Sequence, residues 1–113
     1  MIPQVRPAEF DAWLQRHPDN RPLLLDVREP GELQLASVAA DARFEFVHIP
    51  MQQVPARLHE LPADRPVACL CHHGMRSMQV AAFLAARGFD DVANVAGGID
   101  AWSRERDTGV PRY

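Results

Sequence analysis

At 113 residues the chain holds material for a single domain, 1–113, and its -3 net charge gives no reason to expect nucleic acid or an acidic membrane as partner. Hydrophobic residues at 47% and charged residues at 24% fit a soluble globular protein, and no apolar run reaches the roughly 20 residues of a spanning helix. The opening MIPQVRPAEF lacks an export-signal pattern, and two cysteines one residue apart make no disulfide framework, so a reducing cytoplasm is the expected compartment.

Pro7 opens a helical pattern carried by Phe10, Trp13 and Leu14, which His17-Pro18-Asp19-Asn20 breaks. The continuous apolar run 23–27 reads as a strand covered on both faces. A brief helix fits 29–35, and 43–49 reads as a strand stopped by Pro50. Val54, Leu58 and Leu61 fall at helical spacing, with Pro55 tolerable only near that helix's start. A second buried strand is expected over 67–71, and the clearest helix over 77–87, with Val80, Phe83 and Leu84 on one face and Gly88 as its stop. A strand over 91–95 and, after Gly97-Gly98, a helix bearing Ile99 and Trp102 complete the chain. Strands alternating with helices imply an α/β fold, a mostly parallel sheet flanked by helices on both faces.

In such a sheet, ligands bind beyond the carboxyl ends of the strands. Cys71 ends its strand there, and the turn His72-His73-Gly74-Met75-Arg76 leads into the 77–87 helix. Backbone N–H groups of a tight loop, the positive end of a helix and the cationic Arg76 all favour a thiolate, which makes Cys71 the expected nucleophile. Gly74 suits a loop that needs positive φ or close approach to a bound anion. A Cys in an apolar strand is otherwise commonly buried and inert. The polar, glycine-containing turn after Cys71 separates it from that case.

The segment Cys71-His72-His73-Gly74-Met75-Arg76-Ser77 resembles the Cys-x-x-Gly-x-Arg-Ser loop of the rhodanese family, the sulfurtransferase fold also used by the Cdc25 class of phosphatases. Leu25-Asp26-Val27-Arg28-Glu29-Pro30-Gly31-Glu32 resembles the family's early Asp-Val-Arg-Glu element, and Gly97-Gly98-Ile99-Asp100-Ala101-Trp102 its closing Gly-Gly-x-x-x-Trp element. Residues 36–51 depart from the family's Gly-His-Ile-Pro-Gly-Ala stretch and keep only Ile49-Pro50, so this side of the pocket is expected to be rebuilt.

The resemblance implies a single-domain sulfurtransferase. In it Cys71 takes a sulfane sulfur from a small anionic donor such as thiosulfate and passes it, as a persulfide, to cyanide, a small thiol or a protein cysteine. No metal or organic cofactor is implied. His72, His73, Gly74, Met75 and Arg76 would bind the donor through loop N–H groups and the Arg76 cation. The alternatives are a non-catalytic rhodanese-like binding or regulatory module and a cysteine phosphatase. Phosphatases of this fold use Cys-x5-Arg, whereas here the spacing is Cys71-x4-Arg76, one residue too short to wrap a tetrahedral phosphate.

Asp26 and Arg28 lie past a strand end on the same edge, where Asp26 is expected to orient Arg76 or the loop and Arg28 to help bind anions. The alternative for both is a surface ion pair. Ser77 is expected to cap its own helix, with a hydrogen bond to Cys71 as a further role. Cys69 faces the same side as Cys71 and reads as a buried strand residue, with a resolving thiol as the lesser reading. His48 and His59 read as structural or surface residues, and Trp13 and Trp102 as core. Adjacent His72 and His73 diverge in a tight turn, which argues against a metal site.

Overall fold

The computed structural model describes residues 1–113. In chain order its elements are β1 (Gln4–Val5), α1 (Phe10–Gln15), β2 (Leu23–Asp26), α2 (Pro30–Leu35), β3 (Glu45–His48), β4 (Val67–Leu70), α3 (Met75–Ala86), β5 (Val92–Val95) and α4 (Gly98–Glu105). The five strands form one all-parallel sheet in the order β1-β5-β4-β2-β3. This is the expected α/β architecture.

Strand alternation divides the core into two layers. Leu24, Ala68, Leu70, Ala93 and Val95 face one side, where α1 and α4 contribute Phe10, Trp13, Leu14, Ile99 and Trp102. Leu23, Leu25, Val67, Cys69 and Val92 face the other, against Val80, Ala81 and Leu84 of α3 and Val54 and Leu61 of the 51–61 segment. Phe10 anchors the first layer, fully buried with its ring 5.0 Å from Trp102 and edge-on to Phe44 at 5.6 Å. β2 and β4 carry apolar residues on both faces because both layers press on them, as expected of central parallel strands.

Two sequence expectations need correction, and one strand was not expected. The segment around Val54, Leu58 and Leu61 is not an α-helix but two 3₁₀ turns, Met51–Gln53 and Leu58–Glu60. Pro50, Pro55 and Pro62 deny it continuous N–H donors, and short turns suffice to bury Val54 and Leu61. The pair Gln4–Val5 forms an edge strand on β5, too short for any periodicity to announce. Finally, α3 starts at Met75 rather than at 77, because Gly74 at φ 101° provides the left-handed turn that begins it.

Candidate active site

β4 ends at Leu70, so Cys71 is the first residue past the strand, and Gly74 caps α3 three residues later. The path of this short loop is set by α4. The Cys71 carbonyl accepts from the Ile99 N–H at 2.8 Å, and the His72 carbonyl from the Asp100 N–H at 3.1 Å. These are first-turn donors of α4, free because a helix leaves its leading N–H groups unpaired. With both carbonyls turned to α4, the N–H groups on the opposite edges of those planar peptides point away from it. The next donor in line, the Gly74 N–H, reaches Cys71 Sγ at 3.0 Å.

Two glycines permit this packing. A Cβ on Gly98 would collide with the His72 carbonyl and lie 2.6 Å from that of Cys71, so only glycine lets α4 approach so closely. A Cβ on Gly74 would lie 3.2 Å from the Gly97 N, and Gly74 also adopts positive φ.

A buried polar chain supports the sulfur from the opposite side. Asn94, on β5, donates through Nδ2 to the Gly74 carbonyl at 3.2 Å and to Gln4 Oε1 at 2.9 Å. Its Oδ1 is thereby aimed at the Ser77 hydroxyl, 2.6 Å away, and Ser77 Oγ lies 3.3 Å from Cys71 Sγ. Ser77 therefore does not cap α3: Gly74 holds the cap position, and the Ser77 hydroxyl serves Asn94 and Cys71 from the first turn.

A second network forms the rim. Arg76 makes a two-pronged ion pair with Glu32 of α2, at 2.7 and 2.9 Å. Glu32 also accepts from the Tyr113 hydroxyl at 2.7 Å, and Arg28 Nη1 donates to that hydroxyl at 3.1 Å. The Arg76 guanidinium and then the Tyr113 hydroxyl hold the Glu32 carboxyl down at about 2, outweighing its partial burial. The Tyr113 ring stacks on His72, with centroids 3.9 Å apart, and His72 Nε2–H donates to the Tyr113 main-chain oxygen at 2.8 Å. His73 stacks on the other side of His72 at 3.9 Å, so the two rings converge rather than diverge as expected.

Asp26 and Arg28 differ from expectation. Both are fully buried and paired with each other through Nη2 to Oδ2 at 2.7 Å and Nε to Oδ1 at 3.0 Å. Asp26 therefore does not orient Arg76, whose partner is Glu32, and Arg28 is neither a surface ion-pair member nor open to solvent anions. The pair braces the chain between β2 and α2: Asp26 also accepts the Arg28 backbone N–H at 3.0 Å, and Arg28 reaches the Glu32 carbonyl at 3.3 Å.

Cys71 retains 1% of its surface and Cys69 none. Burial pushes the Cys69 thiol far up, with a smaller push from neighbouring Cys71. His48 donates to the Arg28 carbonyl at 2.7 Å, and His59 is exposed on the far turn.

Two residues at the site, Asn94 and Tyr113, are not named by the sequence reading, and Glu32 and Gly98 stand there only inside motifs, with no role assigned. Asn94 carried a signal, being the one polar residue inside an apolar strand. Glu32 and Tyr113 carried none, since their roles depend on partners 44 and 81 residues apart in the chain.

A rhodanese-like domain family matches residues 7–105, and the chain belongs to that family. It is 35% identical over 108 residues to a protein named sulfurtransferase from Allochromatium vinosum, covering 95% of this chain and 94% of that one. A protein from Vibrio cholerae named thiosulfate sulfurtransferase GlpE is 36% identical over 81 residues, 72% of each chain. Among solved structures, a rhodanese-related protein from Thermoplasma volcanium superposes with a TM-score of 0.74 at 29% identity, over 92% of this chain and 93% of that one.

Proposed function

We propose that this protein is a sulfurtransferase in which Cys71 carries the transferred sulfur as a persulfide. The Cys71 thiolate attacks the outer sulfur of a sulfane-sulfur donor. A new S–S bond forms to Sγ while the donor's own bond breaks, and the donor's remainder leaves with the electron pair. With thiosulfate, the simplest laboratory donor, that remainder is sulfite. A second nucleophile, either a thiol or cyanide, then attacks the outer sulfur and restores the thiolate, so ping-pong kinetics follow. No external oxidant or reductant is needed, because the acceptor takes up the zero-valent sulfur that the donor gives up.

The observation that carries this reading is the Gly74 N–H at 3.0 Å from Cys71 Sγ, in a loop whose carbonyls are drawn off to α4. Such a loop offers donors to an anionic sulfur and keeps acceptors away from it. The His72, His73, Gly74, Met75 and Arg76 amides are the groups we assign to the outer sulfur, with Ser77 beside the inner one. Asp26 and Arg28 act at a distance by bracing the chain that carries Glu32.

The loop's size and charge count against phosphate. Cys71 lies almost wholly inside the protein, which suits end-on delivery of a one-atom sulfur better than approach of a tetrahedral phosphoryl centre. Arg76, which a phosphatase would aim at phosphate, is bound to Glu32 instead.

Cys71→Ser tests the assignment. Thiocyanate formation from a sulfur donor and cyanide is expected to vanish while the far-ultraviolet circular dichroism stays unchanged. Retained transfer in that variant would contradict the assignment.

A further inference from the structure

The rim of the Cys71 loop is electrically closed, and this bears on the donor it accepts. Arg76 is the one guanidinium on the loop's helix, and each of its terminal nitrogens donates to an oxygen of Glu32, so its charge is already paired. Arg28 is fully buried against Asp26. Arg104 and Arg112 both pair with Asp100 and make no hydrogen bond to the loop. His72 is occupied by stacking on both ring faces and by its hydrogen bond to Tyr113. Besides the exposed His73 imidazole, what the loop has to offer is its backbone N–H dipoles, of which that of Gly74 already reaches Cys71 Sγ. Beyond that sulfur an incoming donor meets a neutral ion pair whose carboxylate half, Glu32, is 20% exposed.

Resting on the Cys71 persulfide reading, we propose that the donor is a thiol persulfide, R–S–SH, rather than thiosulfate. Thiosulfate approaches an anionic thiolate with two negative charges and expels a sulfite that carries two. A rim whose one guanidinium is already paired with a carboxylate compensates both poorly. A thiol persulfide, attacked as R–S–SH, delivers the same outer sulfur with no negative charge on the approaching group and expels a thiolate that carries one. The step balances without a redox partner. The Cys71 thiolate attacks the outer sulfur, a Cys71–S–SH bond forms and the R–S bond to that sulfur breaks. The inner sulfur then departs with the electron pair as R–S⁻, while the outer sulfur keeps its proton. The apolar side chain of Met75, 75% exposed at the start of α3, adds a surface for an uncharged R group.

The test compares Cys71 sulfur-loading rates, read by intact mass, for thiosulfate, for the persulfide of N-acetylcysteine methyl ester, and for a persulfidated carrier protein. Cys71→Ser serves as the blank. At least one persulfide arm is expected to load Cys71 ten times or more faster per mole than thiosulfate, and the faster arm identifies a free or a protein-bound source. Glu32→Gln, which releases Arg76, is expected to raise thiosulfate loading about tenfold relative to the uncharged persulfide. It should also make that loading fall with added salt, a response that simple loosening of the loop would not give. Thiosulfate loading the wild type as fast as either persulfide would overturn the donor class while leaving the carrier role of Cys71 standing. Failure of all three donors to load Cys71 would overturn both.

Discussion

The main-chain carbonyl of Cys71 is hydrogen-bonded to the N–H of Ile99, 2.8 Å away in the first turn of α4 and 28 positions later in the chain. The loop that holds the sulfur is thus shaped by the start of α4 rather than by its own sequence. The close approach needs Gly98, which sits at φ 62° and has no room for a Cβ. Gly98→Ala is therefore expected to displace the loop even though it touches neither Cys71 Sγ nor any donor. We predict a loss of about 2–3 kcal/mol in stability from strain and collision, and at least a tenfold loss of sulfur loading. Urea denaturation and intact-mass loading kinetics measure the two separately. Normal loading in Gly98→Ala would show that α4 does not shape the loop.

The Asp26–Arg28 pair is fully buried, so breaking it leaves a charge without a partner inside the protein. Asp26→Ala is predicted to cost about 3–5 kcal/mol, measured as a fall in the urea midpoint. Were both residues an exposed pair, the loss would stay below about 1 kcal/mol.

Ser77→Ala removes the hydroxyl that satisfies Asn94 Oδ1, and Asn94 is 3% exposed. An unpaired buried acceptor costs about 1–3 kcal/mol, and the lost contact to Sγ slows sulfur loading about two- to tenfold. A helix-capping Ser would affect stability alone, so the loading rate separates the two roles.

The Glu32 carboxyl stands at about 2, below its ordinary value of 4.5. A carboxylate with a depressed folded value contributes stability that is complete above about pH 4.5 and fades as pH falls toward 2. Because Arg76 is partly exposed, we put this contribution at about 1 kcal/mol. Wild type should exceed Glu32→Gln in stability at pH 7, and the gap should narrow by pH 3 in parallel denaturation curves. A gap independent of pH would mean that Glu32 does not hold Arg76 as a carboxylate.

Cys69 is wholly buried, with its thiol pushed up by burial. It is predicted to resist iodoacetamide in the native protein, and Cys69→Ala should leave sulfur loading intact at a stability cost of about 1–2 kcal/mol. A Cys69–Cys71 disulfide accumulating during turnover would instead assign Cys69 a redox part.

The sequence made legible what depends on neighbours in the chain. The runs Leu23–Asp26 and Val67–Leu70 are continuous apolar stretches because two core layers press on them, and that pattern needs no tertiary knowledge. Cys71 at a strand end, Gly74 and the helix after it were visible for the same reason. The electrostatics of the rim were not. Asp26, Arg28, Glu32 and Arg76 form two ion pairs, and one-dimensional spacing cannot say which acid meets which base. Arg76 therefore read as a free cation until Glu32 of α2 was found against it. The apolar spacing of Val54, Leu58 and Leu61 misled because it reports burial, whereas the prolines at 50, 55 and 62 decide the backbone.

The central claim is that Cys71 holds a transferable sulfur. Its most direct test is the mass of the intact, reduced protein after incubation with a thiol persulfide or excess thiosulfate, with peptide mapping, before and after cyanide. The account predicts a gain of one sulfur atom on Cys71, lost on cyanide addition with one equivalent of thiocyanate released. No gain from either donor, a gain on Cys69, or a sulfur that cyanide cannot remove would contradict it.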